Sequence, residues 1–205
     1  DIVNWVVTAR SILNTDPGLS PYHLGIVINH PAGSIHDANE QQLLSNVDAT
    51  LDEAGFSDYG NYQLQSASGL FAGTVQYMKF VQSKGVAMVI IDKFASDTTR
   101  VTSNQLEYSI ATYLMGNEGS ADLFVVGGNG AGYGYGAEQY YQEYSTALGT
   151  PCGEAYGGGG YNANNPQIFY RRFTNGLAVL NSGSLPTQTE YATLPAGHTY
   201  TDIEG

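Results

Sequence analysis

Two carboxyl side chains stand where apolar runs stop: Glu53, after Ala49-Thr50-Leu51-Asp52, and Asp92, after Val86-Ala87-Met88-Val89-Ile90-Ile91. Carboxyl groups at the ends of successive strands are suited to acid–base work. Cleavage of a glycosidic bond uses two of them about 5 to 10 Å apart, one as acid and one as base or nucleophile. In that chemistry Glu53 is the acid/base and Asp92 the nucleophile or a stabilising partner, with Asp52 and Asp58 as substitutes. The competing expectation is that strand-end acids cap the helix that follows or pair with Lys93.

Other residues fit the binding of a polyhydroxylated ligand. Asn29 and His30 end a short apolar run and can bond a hydroxyl, although His30, preceding Pro31, reads rather as a rim or turn residue. Tyr59 and Tyr62 follow Glu53, and Tyr133, Tyr135, Tyr140, Tyr141 and Tyr144 cluster further on. A phenol offers an apolar face to C–H groups and a hydroxyl to oxygens, so these rings are candidate stacking platforms. The alternative is that they pack one part of the protein against another. Neither the glycines around Tyr133, which lack a following Lys-Ser/Thr, nor His23, His30, His36 and His198, which form no ligand pair, point to phosphate or zinc. No cofactor and no metal are expected.

The elements that must position these groups alternate. Apolar spacing predicts a helix over Ile2–Leu13, stopped by Asn14-Thr15-Asp16-Pro17-Gly18, then a strand buried on both faces over His23–Asn29. A short helix over Asn39–Ser45, a strand over Ala49–Glu53, a helix over Ser68–Ser83 closed by Lys84-Gly85 and a strand ending at Asp92 follow. A helix over Ser103–Met115 and a strand over Asp122–Val126 complete four strand–helix units. That rhythm matches half of a (β/α)8 barrel, since a whole one takes about 250 residues. Residues 1–130 are thus read as the barrel half, 131–165 as a Gly/Tyr-rich connector and 166–205 as an antiparallel β appendage. In the appendage, Asn175-Gly176 signals a type I′ hairpin before Leu177–Leu180, and Tyr191–Leu194 and Thr199-Tyr200 are further short strand candidates.

Composition narrows the partners. Seven Lys+Arg against 19 Asp+Glu give a net charge of −12, which repels nucleic acid and anionic lipid. No apolar run is long enough to span a membrane. Charged residues make up only 13% while Gly (26) and Tyr (16) abound, so surface polarity comes from amides and hydroxyls, as suits an extracellular or cell-surface, carbohydrate-facing protein or a dense assembly subunit. Cys152 is the only cysteine, so no internal disulfide forms.

Several phrases together carry a family resemblance: Leu51-Asp52-Glu53-Ala54-Gly55-Phe56, the strand ending in Asp92, Glu107-Tyr108 on a helix ending Leu114-Met115-Gly116, Tyr140-Tyr141-Gln142-Glu143-Tyr144, and Tyr170-Arg171-Arg172-Phe173-Thr174-Asn175-Gly176-Leu177-Ala178-Val179-Leu180-Asn181. The chain resembles, over nearly its whole length, the second half of glycoside hydrolases built on a (β/α)8 barrel followed by a β domain. The resemblance implies acidic residues at the carboxyl ends of strands. It also implies that a carboxylate belonging to an earlier strand comes from a missing amino-terminal half. Two functions follow as expectations: a protein that acts on or binds an extracellular polysaccharide, or a non-catalytic subunit of an extracellular assembly or filament. Half a barrel exposes strand edges and an apolar inner face, so the missing amino-terminal half or further copies of the chain are expected as partners.

Overall fold

The computed structural model of the chain describes residues 2–30, 35–53, 55–57, 70–95, 101–128, 140–157, 168–181 and 194–203. Among the described residues four α-helices and four parallel strands alternate: α1 (Ile2–Thr15), β1 (Val27–Asn29), α2 (Ala38–Leu44), β2 (Ala49–Asp52), α3 (Leu70–Ser83), β3 (Ala87–Ala95), α4 (Ser103–Gly116) and β4 (Ala121–Gly128). A small antiparallel sheet follows, of β5 (Tyr156–Gly157), β6 (Ile168–Arg172) and β7 (Leu177–Asn181). The protein is an α/β fold with an antiparallel β appendage.

Local chemistry sets the helix ends. Asp37 caps α2 by accepting from the amides of Asn39 (2.7 Å) and Glu40 (3.2 Å). Thr102 and Gln105 form a reciprocal capping box at the start of α4. After α3 the chain turns at Gly85, whose φ of 74° is open to glycine, and the amides of Gly85 and Val86 reach back to Gln82 and Val81.

The parallel strands lie in the order β1-β2-β3-β4, so each pairs with its neighbours in sequence. Side chains alternate along β3: Met88, Ile90, Asp92 and Phe94 are buried, whereas Val89 and Ile91 are half-buried. Met88 and Ile90 share a core with Val6 of α1, Leu44 of α2 and Met78 of α3, while Phe94 and Val125 pack with Leu106 and Ile110 of α4. All four helices therefore cover one face. On the other face Val27, Leu51, Val89, Ile91 and Phe124 join none of the hydrophobic clusters formed by the described residues.

The β appendage sits on the outer side of α3 and α4, where Phe169, Phe173 and Leu180 pack with Val75 and Met115. Of the connector read over 131–165, residues 140–157 are described. They supply β5 to the appendage sheet, and Tyr141 to the core beneath α4.

Three expectations need correction. The first strand is three residues long and not buried on both faces: Val27 is 63% exposed, because β1 is the outermost of the described strands and its far face joins no cluster of described residues. The hairpin between β6 and β7 forms with Thr174-Asn175 at its tip, and no positive φ occurs at Thr174, Asn175 or Gly176, so it is not type I′. The tip is instead held from outside, by Asn175 N–H to Leu148 O (2.9 Å) and Thr174 N–H to Thr150 O (3.0 Å). Thr199-Tyr200 is described and is not a strand, nor is Leu194, while Tyr191, Ala192 and Thr193 lie outside the described residues.

Candidate functional site

The carboxyl end of the parallel sheet gathers the titratable side chains, and the alternation of the strands sorts them onto two faces. Thr50 aligns with Met88, so Asp52 shares the helix-facing side with Ile90 and Asp92. Glu53, one residue on, falls on the opposite side with Lys93. Its Oε2 lies 3.0 Å from Lys93 Nζ, with the lysine side chain 3% exposed and the glutamate 28%. Asn29, exposed at the end of β1, aligns with Leu51 and so shares this second face.

Asp92 is fully buried on the helix side. Its Oδ1 accepts from the Ser57 amide (2.9 Å) and hydroxyl (2.5 Å), and its Oδ2 from the Ser109 hydroxyl (2.5 Å) of α4. Burial pushes its carboxyl up to about 6, against the pull of the Ser109 and Ser57 hydrogen bonds, and neighbouring Asp52 pushes the same way. Asp52, also buried, accepts from the Gly55 amide at 3.2 Å. The two carboxyl groups paired on sequence grounds, Glu53 and Asp92, thus leave the sheet in opposite directions.

A second polar group lies at the same end, under α2 and α3. Glu40, 7% exposed, accepts from the Tyr77 hydroxyl through Oε1 and bonds His30 Nε2 through Oε2 at 2.8 Å. Burial, and then Glu40 itself, raise the Tyr77 phenol far above its ordinary range, so it stays a proton donor to the carboxylate. Sequence reasoning passed over Glu40, Tyr77, Ser57 and Ser109. For Glu40 a signal existed, because an acidic residue sits on the apolar stripe of Leu43 and Leu44, three and four residues on.

The tyrosines divide. Tyr140 is 71% exposed and bonds Ser145 through its hydroxyl, whereas Tyr141 is buried and Tyr144 receives the Val125 amide at 3.0 Å. The rings of Tyr140 and Tyr141 meet Tyr144 edge to face at 6.2 and 5.7 Å. Asp58, Tyr59, Tyr62, Tyr133 and Tyr135 lie outside the described residues. Among the described residues no group of three or more His, Cys, Asp or Glu side chains is placed to hold a metal ion.

Chemically, the face away from the helices offers a part-exposed carboxylate, held by a buried ammonium, and an exposed amide, a set that can donate to and accept from hydroxyl groups. No family model matches the sequence, and no curated protein matches it significantly.

Proposed function

We propose that the chain is a carbohydrate-active, glycoside-hydrolase-like protein that acts on or binds an extracellular polysaccharide, with its parallel sheet forming the second half of a (β/α)8 barrel. One observation carries this reading. The Glu53–Lys93 pair sits at the carboxyl end of a parallel sheet, on the face turned away from the helices, and barrel enzymes assemble their sites at that end and on that side. Sequential strand order with helices on one face supports the barrel, since doubly wound sheets reverse their order and carry helices on both faces.

In this site Lys93, buried against Glu53, holds the carboxylate in place, and Glu53, as the part-exposed anionic half of the ion pair, accepts from sugar hydroxyls or activates water. Asn29 adds a neutral donor and acceptor, and Tyr140 an exposed ring. A hydrolase also requires a proton-donating carboxyl. Asp92 is enclosed on the helix side, so on this reading that group is Asp58 or comes from the strands that complete the barrel. No described helix is long and apolar enough to cross a membrane, and an extracellular or cell-surface setting fits the sparse charge. The test is retardation of the protein in native gels cast with individual soluble polysaccharides, with reducing-end release measured in parallel. Retardation by none of a broad panel would remove the reading.

A second reading, a structural subunit without catalysis, is favoured by a separate observation. Ile2 (60% exposed), Trp5 (63%) and Ile12 (49%) form one apolar stripe on α1, and Val27 of the outermost described strand is exposed as well. Strand-and-helix units continuing the sheet past β1, or further copies of the chain, would cover both. Sedimentation velocity separates the readings, because an ordered large assembly supports the subunit and a compact, barrel-completing complex supports the hydrolase.

A further inference from the structure

Consecutive residues of β3, Asp92 and Lys93, project to opposite faces of the sheet, yet both hold the turn that leaves β2. On the helix side Asp92 Oδ1 takes both the amide and the hydroxyl of Ser57, and the Ser57 hydroxyl also lies 3.2 Å from the Lys93 carbonyl. Gly55 is pinned between: its φ is 62°, its amide donates to Asp52, and a Cβ there would stand 2.5 Å from the Asp92 Cα. Helix α4 closes the enclosure, with Ser109 on Asp92 Oδ2 and the Tyr108 hydroxyl 3.5 Å from the Phe56 carbonyl. On the far side Lys93 Nζ meets Glu53 at 3.0 Å.

We propose that Asp92 is a positioning residue for Glu53: by fastening Ser57 to β3 on the helix side, it fixes the β2 exit turn so that the Glu53 carboxylate stands against Lys93 on the opposite side. A carboxylate with hydrogen bonds at both oxygens and no exposed surface has no access to substrate. Its place at the strand end is explained by the turn it holds. Three bonds from hydroxyl and amide donors hold the burial cost of the charge down, which a carboxyl without partners would bear in full. This inference stands apart from the carbohydrate reading, because it concerns the geometry of the turn and is read without any sugar.

The experiment combines amide exchange with acetylation. Acetic anhydride is the probe, and the labelling rate of buried Lys93 is followed by peptide mass spectrometry, with Lys79, which pairs with Glu118 and Glu154, as the reference for general loosening. In Asp92→Ala, Lys93 labelling and Ser57 amide exchange are expected to rise by about tenfold or more while Lys79 stays near its wild-type rate, as local opening demands. Asp92→Asn, which keeps an acceptor for Ser57, restores both to near wild type. Ser57→Ala, which leaves Ser109 on the carboxylate, also raises both and provides the test should Asp92→Ala not fold. Unchanged Lys93 labelling in folded Asp92→Ala or Ser57→Ala overturns the proposal. So does an equal rise at Lys93 and Lys79.

Discussion

Arg171 of β6 donates from Nη2 to Glu118 Oε1 at 2.8 Å, with its own side chain 1% exposed and that of Glu118 39%. The remaining nitrogens serve backbone carbonyls: Nη1 reaches Leu114 O (2.9 Å) and Asn117 O (2.7 Å) at the end of α4, and Nε reaches Gly153 O (3.1 Å). One guanidinium therefore closes the carboxyl end of α4, where carbonyls lack helical partners, and ties the β appendage to the α/β layer.

Replacing it tests that union. Arg171→Ala leaves three carbonyls without this donor and is expected to cost about 3 kcal/mol or more in urea unfolding. Glu118→Gln, on the exposed side of the pair, is expected to cost no more than about 1 kcal/mol. Equal costs would contradict the assignment of the stabilisation to the carbonyls.

Asp92 gives a pH dependence of defined sign. Its folded carboxyl, pushed up to about 6 by burial, lies above its ordinary value of 3.8, so the folded state binds more protons across that interval. The associated stability is fully present below about pH 4 and is lost as pH rises through 6, with a slope of at most roughly 1 kcal/mol per unit for one proton. Unfolding free energies of wild type and Asp92→Asn, measured from pH 4 to 7, are expected to diverge in that direction. A wild type that gains on Asp92→Asn as pH rises would contradict the buried geometry.

Thr50 supplies a converse case. Its Oγ1 is fully buried with no hydrogen-bond partner among the described residues. Thr50→Val removes that hydroxyl at nearly constant shape and is expected to stabilise by about 1 kcal/mol. A loss of similar size in thermal unfolding would reveal a partner for the hydroxyl.

At Gly55 the positive φ and the 2.5 Å approach to the Asp92 backbone leave no room for a side chain. Gly55→Ala is expected to destabilise by about 2 kcal/mol or more and to release the Ser57 amide in hydrogen exchange. A neutral outcome would mean that the turn is not seated on β3.

The helices and β2 to β4 were legible because their apolar residues recur at helical spacing or in continuous runs, as in Val86–Ile91. The faces were not. Asp92 and Glu53 both stand at strand ends, but which side each takes depends on Thr50 aligning with Met88, and pairing register is absent from a linear pattern. A register shifted by one residue would have put them together. The buried Arg171 was hidden for a related reason: next to Arg172 in a strand, only the partner face decides which arginine turns inward. Likewise Asn175-Gly176 carried the composition of a type I′ turn, and contacts from Leu148 and Thr150 chose another tip.

The proposed function rests most directly on Glu53 and on the Lys93 ammonium that holds it. Affinity electrophoresis of wild type, Glu53→Gln and Lys93→Met in a polysaccharide that retards the wild type measures that claim alone. Both substitutions are expected to weaken retardation about tenfold or more, Glu53→Gln through the loss of a charge-assisted hydrogen bond to a hydroxyl, on the order of 1.5 to 3 kcal/mol, and Lys93→Met by releasing the Glu53 carboxylate from the buried ammonium that holds it. Retardation unchanged in both variants, with folding intact, would place the sugar elsewhere and contradict the proposed site.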